Sequence, residues 1–385
     1  MKLSWLTWLR WLAALIVIYY HLNQIRSTVW LSEWSWDIYQ FTEHLVFVVS
    51  FFFMTSGLFR SLPYWRALLQ WRDIPEFFPS LRDRFFRIAP AYYLALIVSF
   101  ICMILWQGVW WTDVLRLFSG LTFLSWISPE TFFPVEINGP LWFISYDMMG
   151  WILTSLVMMG IVKIMKSYSL RFSPTKQWQK LIISLLCLLW ISGALLLLHY
   201  TWIALPWSPW EAITGVWFPI YNPFLFGLHF LLGAIVGGVI VYFQEAKPRV
   251  VYDIFVISIF VVLIGFLWNI RTLEDWDYSW PHGPYHFPIV PLLLAGVLAT
   301  LPFTRYVGKY IDNKFLTWIA TLSYSLYLFH MLVISILRRY FFINEQLWFY
   351  NWSIFSILTL FLSISIAWIV WKYVESREWI TKSKW

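Results

Sequence analysis

Apolar residues run along this chain in long, nearly uncharged blocks separated by short polar segments. At about 20 apolar residues per bilayer crossing, the blocks predict about ten spans: roughly 4–23, 40–59, 88–108, 139–162, 181–204, 223–243, 251–268, 287–303, 315–336 and 351–371. Gly139 and Pro140 break the start of the fourth block, and Pro288 and Pro291 that of the eighth. The short alternating segments of a membrane β-barrel are missing from the pattern. The expected fold class is therefore all-α: a polytopic integral membrane protein of about ten transmembrane helices.

Basic residues orient the spans. Lys2, Arg10, Arg60, Arg66, Arg72, Arg82, Arg84 and Arg87 fall on the side of the N-terminus, as do the basic clusters around residues 163–180, 247–249, 305–314 and 372–384. Of the 27 Lys and Arg, only Arg26, Arg116, Arg271, Arg338 and Arg339 lie on the other side. By the positive-inside rule both termini are cytoplasmic. This placement assigns the net charge of +7 to membrane orientation and not to nucleic acid. With 61% hydrophobic and 12% charged residues, the chain is also outside the range of soluble domains. Lys2 and the first apolar run are followed by no small-residue cleavage site, so they read as a retained span and not a removed signal peptide. No repeat or low-complexity tract divides residues 1–385, which read as a single transmembrane domain with no appended soluble domain. Cys102 and Cys187 lie inside apolar runs and imply neither disulfides nor a metal site. Most of the 30 tryptophans sit where interfacial anchors belong.

The few ionisable residues inside the apolar blocks carry the chemistry. In Trp5–Leu22, Arg10 and His21 are eleven residues apart. On a helix that is three turns plus about 20°, so both face the same way about 16 Å apart along the axis. Charged groups are costly in a bilayer, and a pair on one face suggests a polar seam facing the protein interior. The competing reading has Arg10 snorkelling to the headgroups and His21 resting in the interface beside Tyr19 and Tyr20. Asp147 is expected about two turns into the fourth helix from the outside, and His330 in the outer half of the ninth. An aspartate at that depth needs a partner, and a histidine is an economical one. Glu375 closes the last helix, while Glu43 and His44 read as interfacial.

Two loops add to this. Arg60–Arg87 holds six arginines against Asp73, Glu76 and Asp83; the positive-inside rule explains the sign but not the uniform choice of arginine, whose planar fork suits phosphate. The external Asn269–Phe287 interleaves acids with Trp and Tyr, a composition that suits either a carbohydrate or a solvated loop.

At this point the residues resemble a family, the membrane-bound acyltransferase family three. Arg10 and His21 match its first-helix arginine and histidine. Ser50–Phe59 is similar to its FFxxSGFL signature, and Arg84–Tyr93 to RxxRIxPxY, with Arg84 and Arg87 as the arginines. Asn138–Asp147 resembles WxLxxE, with aspartate in place of the usual glutamate; Leu322–His330 resembles SYxxYLxH, and Tyr373–Glu375 the usual ending. Five weak signatures in order on this hydropathy profile make a strong resemblance covering nearly the whole chain.

The resemblance implies transfer of an acyl group, expected to be acetyl, from cytoplasmic acetyl-CoA to a hydroxyl of an extracytoplasmic glycan or lipid-linked saccharide. It places the protein as a multi-pass component of the cell membrane, the cytoplasmic membrane of a bacterium, with no metal and no nucleic acid among its partners. Arg10, Arg84 and Arg87 are then expected to hold the donor's phosphates. His21 is expected to act as general base with Asp147 orienting its imidazole, or to carry the acyl group covalently. His330 either polarises the carbonyl or braces the site. The alternative function is a polysaccharide exporter without acyl transfer, which needs a wide polar channel that so few intramembrane polar groups do not supply.

Overall fold

The structure is a computed structural model and describes residues 4–25, 33–171, 176–204, 220–271, 284–308, 318–341 and 349–376. Among these residues it is all-helical, with no strand. In chain order the α-helices are α1 (Ser4–Asn23), α2 (Glu33–Glu43), α3 (Val48–Leu69), α4 (Phe77–Gln107), α5 (Trp111–Leu121) and α6 (Trp142–Arg171). They continue with α7 (Gln177–Ile203), α8 (Pro223–Tyr242), α9 (Val250–Asn269), α10 (Ile289–Thr300), α11 (Ser323–Phe341) and α12 (Phe349–Val370). Seven helical stretches among the described residues are long and apolar enough to cross a membrane: Trp36–Leu69, Phe77–Gln107, Glu136–Tyr168, Gln177–Ile203, Pro223–Tyr242, Val250–Asn269 and Asn351–Glu375. The expected blocks at 4–23, 287–303 and 315–336 correspond to α1, the shorter apolar helix Ile289–Phe303, and α11.

The centre of the bundle is α3 against α8. Both are almost wholly buried, and small residues let their backbones meet. A Cβ added to Gly57 would land on the carbonyl of Phe230, and one on Gly233 would land on the carbonyl of Met54. Trp65 seals the contact by donating from Nε1 to the carbonyl of Ala234 at 2.7 Å. Gly233→Leu is therefore expected to force the helices apart. Overpacking of this kind costs typically about 1–3 kcal/mol, read as a lowered Tm of the detergent-solubilised protein.

Several boundaries differ from the sequence expectation. The expected loop Arg60–Arg87 is helical at both ends: α3 runs on to Leu69 and α4 begins at Phe77, leaving Gln70–Glu76 as the connection. Helices continue beyond the apolar block because Arg60, Arg84 and Arg87 find partners inside the protein, described below. The start of the fourth span is displaced as well. After α4, α5 turns back alongside it: the hydroxyls of Tyr92 and Tyr93 donate to the carbonyls of Gly120 and Leu121 at 3.2 and 2.7 Å. The chain then passes inward to Asn138, whose backbone is non-helical and whose amide donates to Ser99 Oγ of α4 and to the Leu328 carbonyl of α11, both at 3.0 Å. Only at Trp142 does α6 proper begin. Asp147 is thereby carried further along α4 than a helix starting at the outer surface would bring it, to the level of Arg84.

Candidate functional site

Helix α1 is unbroken between Arg10 and His21, which keeps both on one face. Each end of that face meets a different polar group.

Near the start of α1, Arg10 lies in the electrostatic field of Arg84, Arg87 and Asp147. Arg84 and Arg87 share a face of α4 at i, i+3. Arg84 donates through Nη2 to Asp147 Oδ2, an ion pair 15% and 5% exposed that joins α4 to α6. Arg84 Nε and Asp147 Oδ1 are buried and have no hydrogen-bond partner, so the pair retains one donor and one acceptor for something else. Arg87 is close to Glu375 and Tyr324. Glu375 accepts a hydrogen bond from Ser325 Oγ, and Tyr324 donates to the Ile88 carbonyl at 2.9 Å, so α4, α11 and the helical turn Trp371–Glu375 are tied together there. Three guanidinium groups thus face two carboxylates. The surplus positive charge suits an anion, and guanidinium groups favour phosphate oxygens.

Near the end of α1, His21 and His330 lie with ring centroids 5.3 Å apart. His21 Nδ1 meets Gln24 Oε1 at 3.1 Å, an acceptor, so this nitrogen carries the proton and Nε2 carries the lone pair. His330 Nδ1 donates to the Tyr327 carbonyl at 2.6 Å, and its Nε2 is buried without a hydrogen-bond partner. Tyr327 in turn donates to the Pro140 carbonyl at 2.6 Å, which couples the histidine helix to the Gly139–Pro140 break. Both imidazoles therefore present a bare Nε2, a proton acceptor.

The expected partnership of Asp147 with His21 is not what the structure shows. Asp147 is paired with Arg84, and the group orienting His21 is Gln24, one helical turn further on. The displaced start of α6 is the reason: it moves the aspartate out of reach of the histidine end and into reach of the arginine end. His330, held as the Nδ1–H tautomer, can polarise a carbonyl by donation only after taking a proton; in its neutral form it is an acceptor. His44, read from sequence as interfacial, is packed within the protein. It is buried, with Nδ1 3.2 Å from His286 Nε2 and Nε2 3.3 Å from the Arg271 carbonyl, while Glu43 accepts from Asn23 at 3.0 Å. Most of the acid-and-aromatic loop expected over Asn269–Phe287 falls at 272–283, outside the described residues. Among the described residues no cluster of three or more His, Cys, Asp or Glu is arranged to hold a metal.

Beside the ion pair, α4 and α6 diverge around an apolar groove of about 970 Å³, lined by Phe78, Phe85, Trp126, Met148, Ile152 and Leu156 among others. Arg82 and Thr122 are the polar residues of a lining that is otherwise almost wholly apolar, a poor match for a phosphate or a saccharide. The polar seam between the arginines and the histidines is the chemically equipped part of the molecule.

Gln24, Arg60 and Asn138 were not singled out from sequence. Gln24 had a legible signal in its i+3 spacing from His21. Asn138 and Arg60 act across helices, and only packing reveals their partners.

The described residues thus form a bundle of membrane-length helices with a guanidinium cluster near one end of α1 and a pair of imidazoles near the other. A family model described as an acyltransferase domain matches residues 3–372, nearly the whole chain. The chain belongs to acyltransferase family 3, and so to the membrane acyltransferases. No curated protein and no solved structure matches it.

Proposed function

We propose that the protein transfers an acyl group, acetyl in the simplest case, from acyl-CoA on the cytoplasmic side to a hydroxyl of a glycan or lipid-linked saccharide on the other. The observation that carries this is the pairing of opposite chemistries on one face of α1: Arg10 joined by Arg84 and Arg87 at one end, His21 joined by His330 at the other. The separation of about 16 Å along the helix is a span that the extended pantetheine arm of coenzyme A can cover. The donor's phosphates rest among the arginines and its thioester lies near the histidines.

The acceptor hydroxyl gives its proton to His21 Nε2 as its oxygen attacks the thioester carbonyl. The tetrahedral intermediate collapses with cleavage of the carbon–sulfur bond. The imidazolium returns the proton to the departing thiolate, so the products are the ester and free coenzyme A. Gln24 holds His21 in the tautomer this requires, and His330 Nε2 is placed beside it as a second acceptor.

Binding of adenosine 3′,5′-bisphosphate tests the donor end. Loss of one charge-assisted contact in Arg84→Ala or Arg87→Ala is worth roughly 1.5–3 kcal/mol, so the wild type should bind the nucleotide about 10- to 150-fold more tightly than either variant. Equal dissociation constants would remove the phosphates from this end of the seam. Thioester cleavage that depends on added saccharide tests the transfer itself, and an exporter would show none.

A further inference from the structure

Arg60 sits in α3 just beyond the small-residue contact with α8, and the residue is buried, at 8% exposure. Its carbon Cζ lies 3.9 Å from the centre of the Trp151 ring and 5.0 Å from that of Tyr64. Nε donates to Ser155 Oγ, and Nη2 donates to Tyr64 OH at 2.7 Å. Ser155 is already committed as a donor to the Trp151 carbonyl, which leaves its oxygen to accept from Arg60. Every partner of Arg60 is neutral, and among the described residues no carboxylate pairs with it. The charged group that acts on it electrostatically is another cation, Arg84. Aromatic faces and hydroxyls lower the cost of a buried cation without supplying a counter-charge.

The position of Arg60 in the seam says what the counter-charge is. Asp147, Trp151 and Ser155 follow at i, i+4 and i+8 and so share one face of α6. The first holds Arg84 and the other two hold Arg60. Arg60 therefore stands one to two turns beyond the Arg84–Asp147 pair, about 6–12 Å along α6, on the side away from the histidines. Coenzyme A has the matching layout. Its diphosphate joins the pantetheine arm, and a separate ribose 3′-phosphate lies farther from the thioester.

We propose that Arg60 is a donor-binding residue that takes the ribose 3′-phosphate of coenzyme A, while Arg10, Arg84 and Arg87 take the diphosphate. Trp151 and Tyr64 keep the Arg60 guanidinium flat and oriented before the donor arrives, and the phosphate supplies the charge that the protein withholds. This inference rests on the acyl-CoA reading above and adds a selectivity to it: the protein discriminates coenzyme A from its analogue lacking the 3′-phosphate.

The test measures binding of acetyl-CoA and of acetyl-dephospho-CoA to wild type and to Arg60→Met in detergent, with thermal stability recorded for each protein. Wild type is expected to prefer acetyl-CoA by about 10- to 150-fold, one charge-assisted contact. Arg60→Met should lose that preference by weakening acetyl-CoA and leaving the dephospho analogue nearly unchanged. A variant that weakens both ligands equally makes Arg60 a strut between α3 and α6 and overturns the proposal. So does a wild type that binds both ligands alike, a result that leaves the acyl-CoA reading standing. A wild type that binds neither ligand overturns that reading and this one with it. Should Arg60→Met not fold, Arg60→Gln keeps a donor for Ser155 and carries the same comparison.

Discussion

His21→Ala is expected to lower acyl transfer by about 10²- to 10⁴-fold, the usual contribution of a positioned general base, with little change in folding. His21 is half-buried at the edge of the bundle and its polar contact is with its own neighbour Gln24, so its removal breaks no bond between helices. The thermal transition should stay near that of wild type, and adenosine 3′,5′-bisphosphate should still bind, because the arginines are untouched. His330→Ala distinguishes the two imidazoles. If His330 only braces the site, transfer falls in proportion to stability; if it shares the proton, transfer falls while stability holds. Transfer by His21→Ala within a few-fold of wild type would pass the role of base to His330.

Asp147→Asn is expected to be the most damaging single change at the arginine end, in stability as well as activity. The aspartate is 5% exposed and balances Arg84 directly and Arg10 through space. Breaking a buried ion pair by removing one partner costs about 3–5 kcal/mol, because the remaining charge is left without compensation. Asp147→Glu keeps the charge and should retain most of the stability. Arg84→Gln combined with Asp147→Asn neutralises both partners and should recover much of the stability lost in the single variant. It should not recover donor binding, which needs the guanidinium. These outcomes separate an ion-pair role from a helix-terminal one. Asp147 is the sixth residue of α6, well past the capping position, so asparagine has no capping bond to preserve. Full stability in Asp147→Asn would show that the pair contributes nothing to holding α4 against α6.

Much of the candidate site was legible because it is written in local spacing. The eleven residues from Arg10 to His21 put both on one face of any helix they occupy, and the Arg84–Arg87 pair likewise shares a face. Asp147 and His330 stood out as ionisable residues inside apolar blocks, and the family motifs contain both. What spacing cannot convey is which side chains of different helices meet. The pairing of Asp147 with His21 was inferred by assigning each residue a depth from the nearest end of its span. That inference failed because α5 and the segment up to Asn138 fold back into the protein, so α6 starts well inside. Arg60 was read as part of a basic loop for a similar reason: hydropathy ends a span at the first charge, whereas Trp151, Tyr64 and Ser155 let α3 carry that charge onward.

The sequence by itself determined that this is an all-helical membrane protein with an ionisable seam on its first helix, and its motifs pointed to the acyltransferase family. Those properties follow from hydropathy and helical period, which act within a segment and need no knowledge of its neighbours. Tertiary structure alone decided the pairings between segments: Asp147 with Arg84, His21 with His330, Glu375 with Ser325, and Arg60 with Trp151 and Ser155. The physical reason is that a charge buried among helices is held by whatever polar group packing brings within about 3 Å. That choice depends on where each helix begins, how it is tilted and which small residues let its neighbour approach.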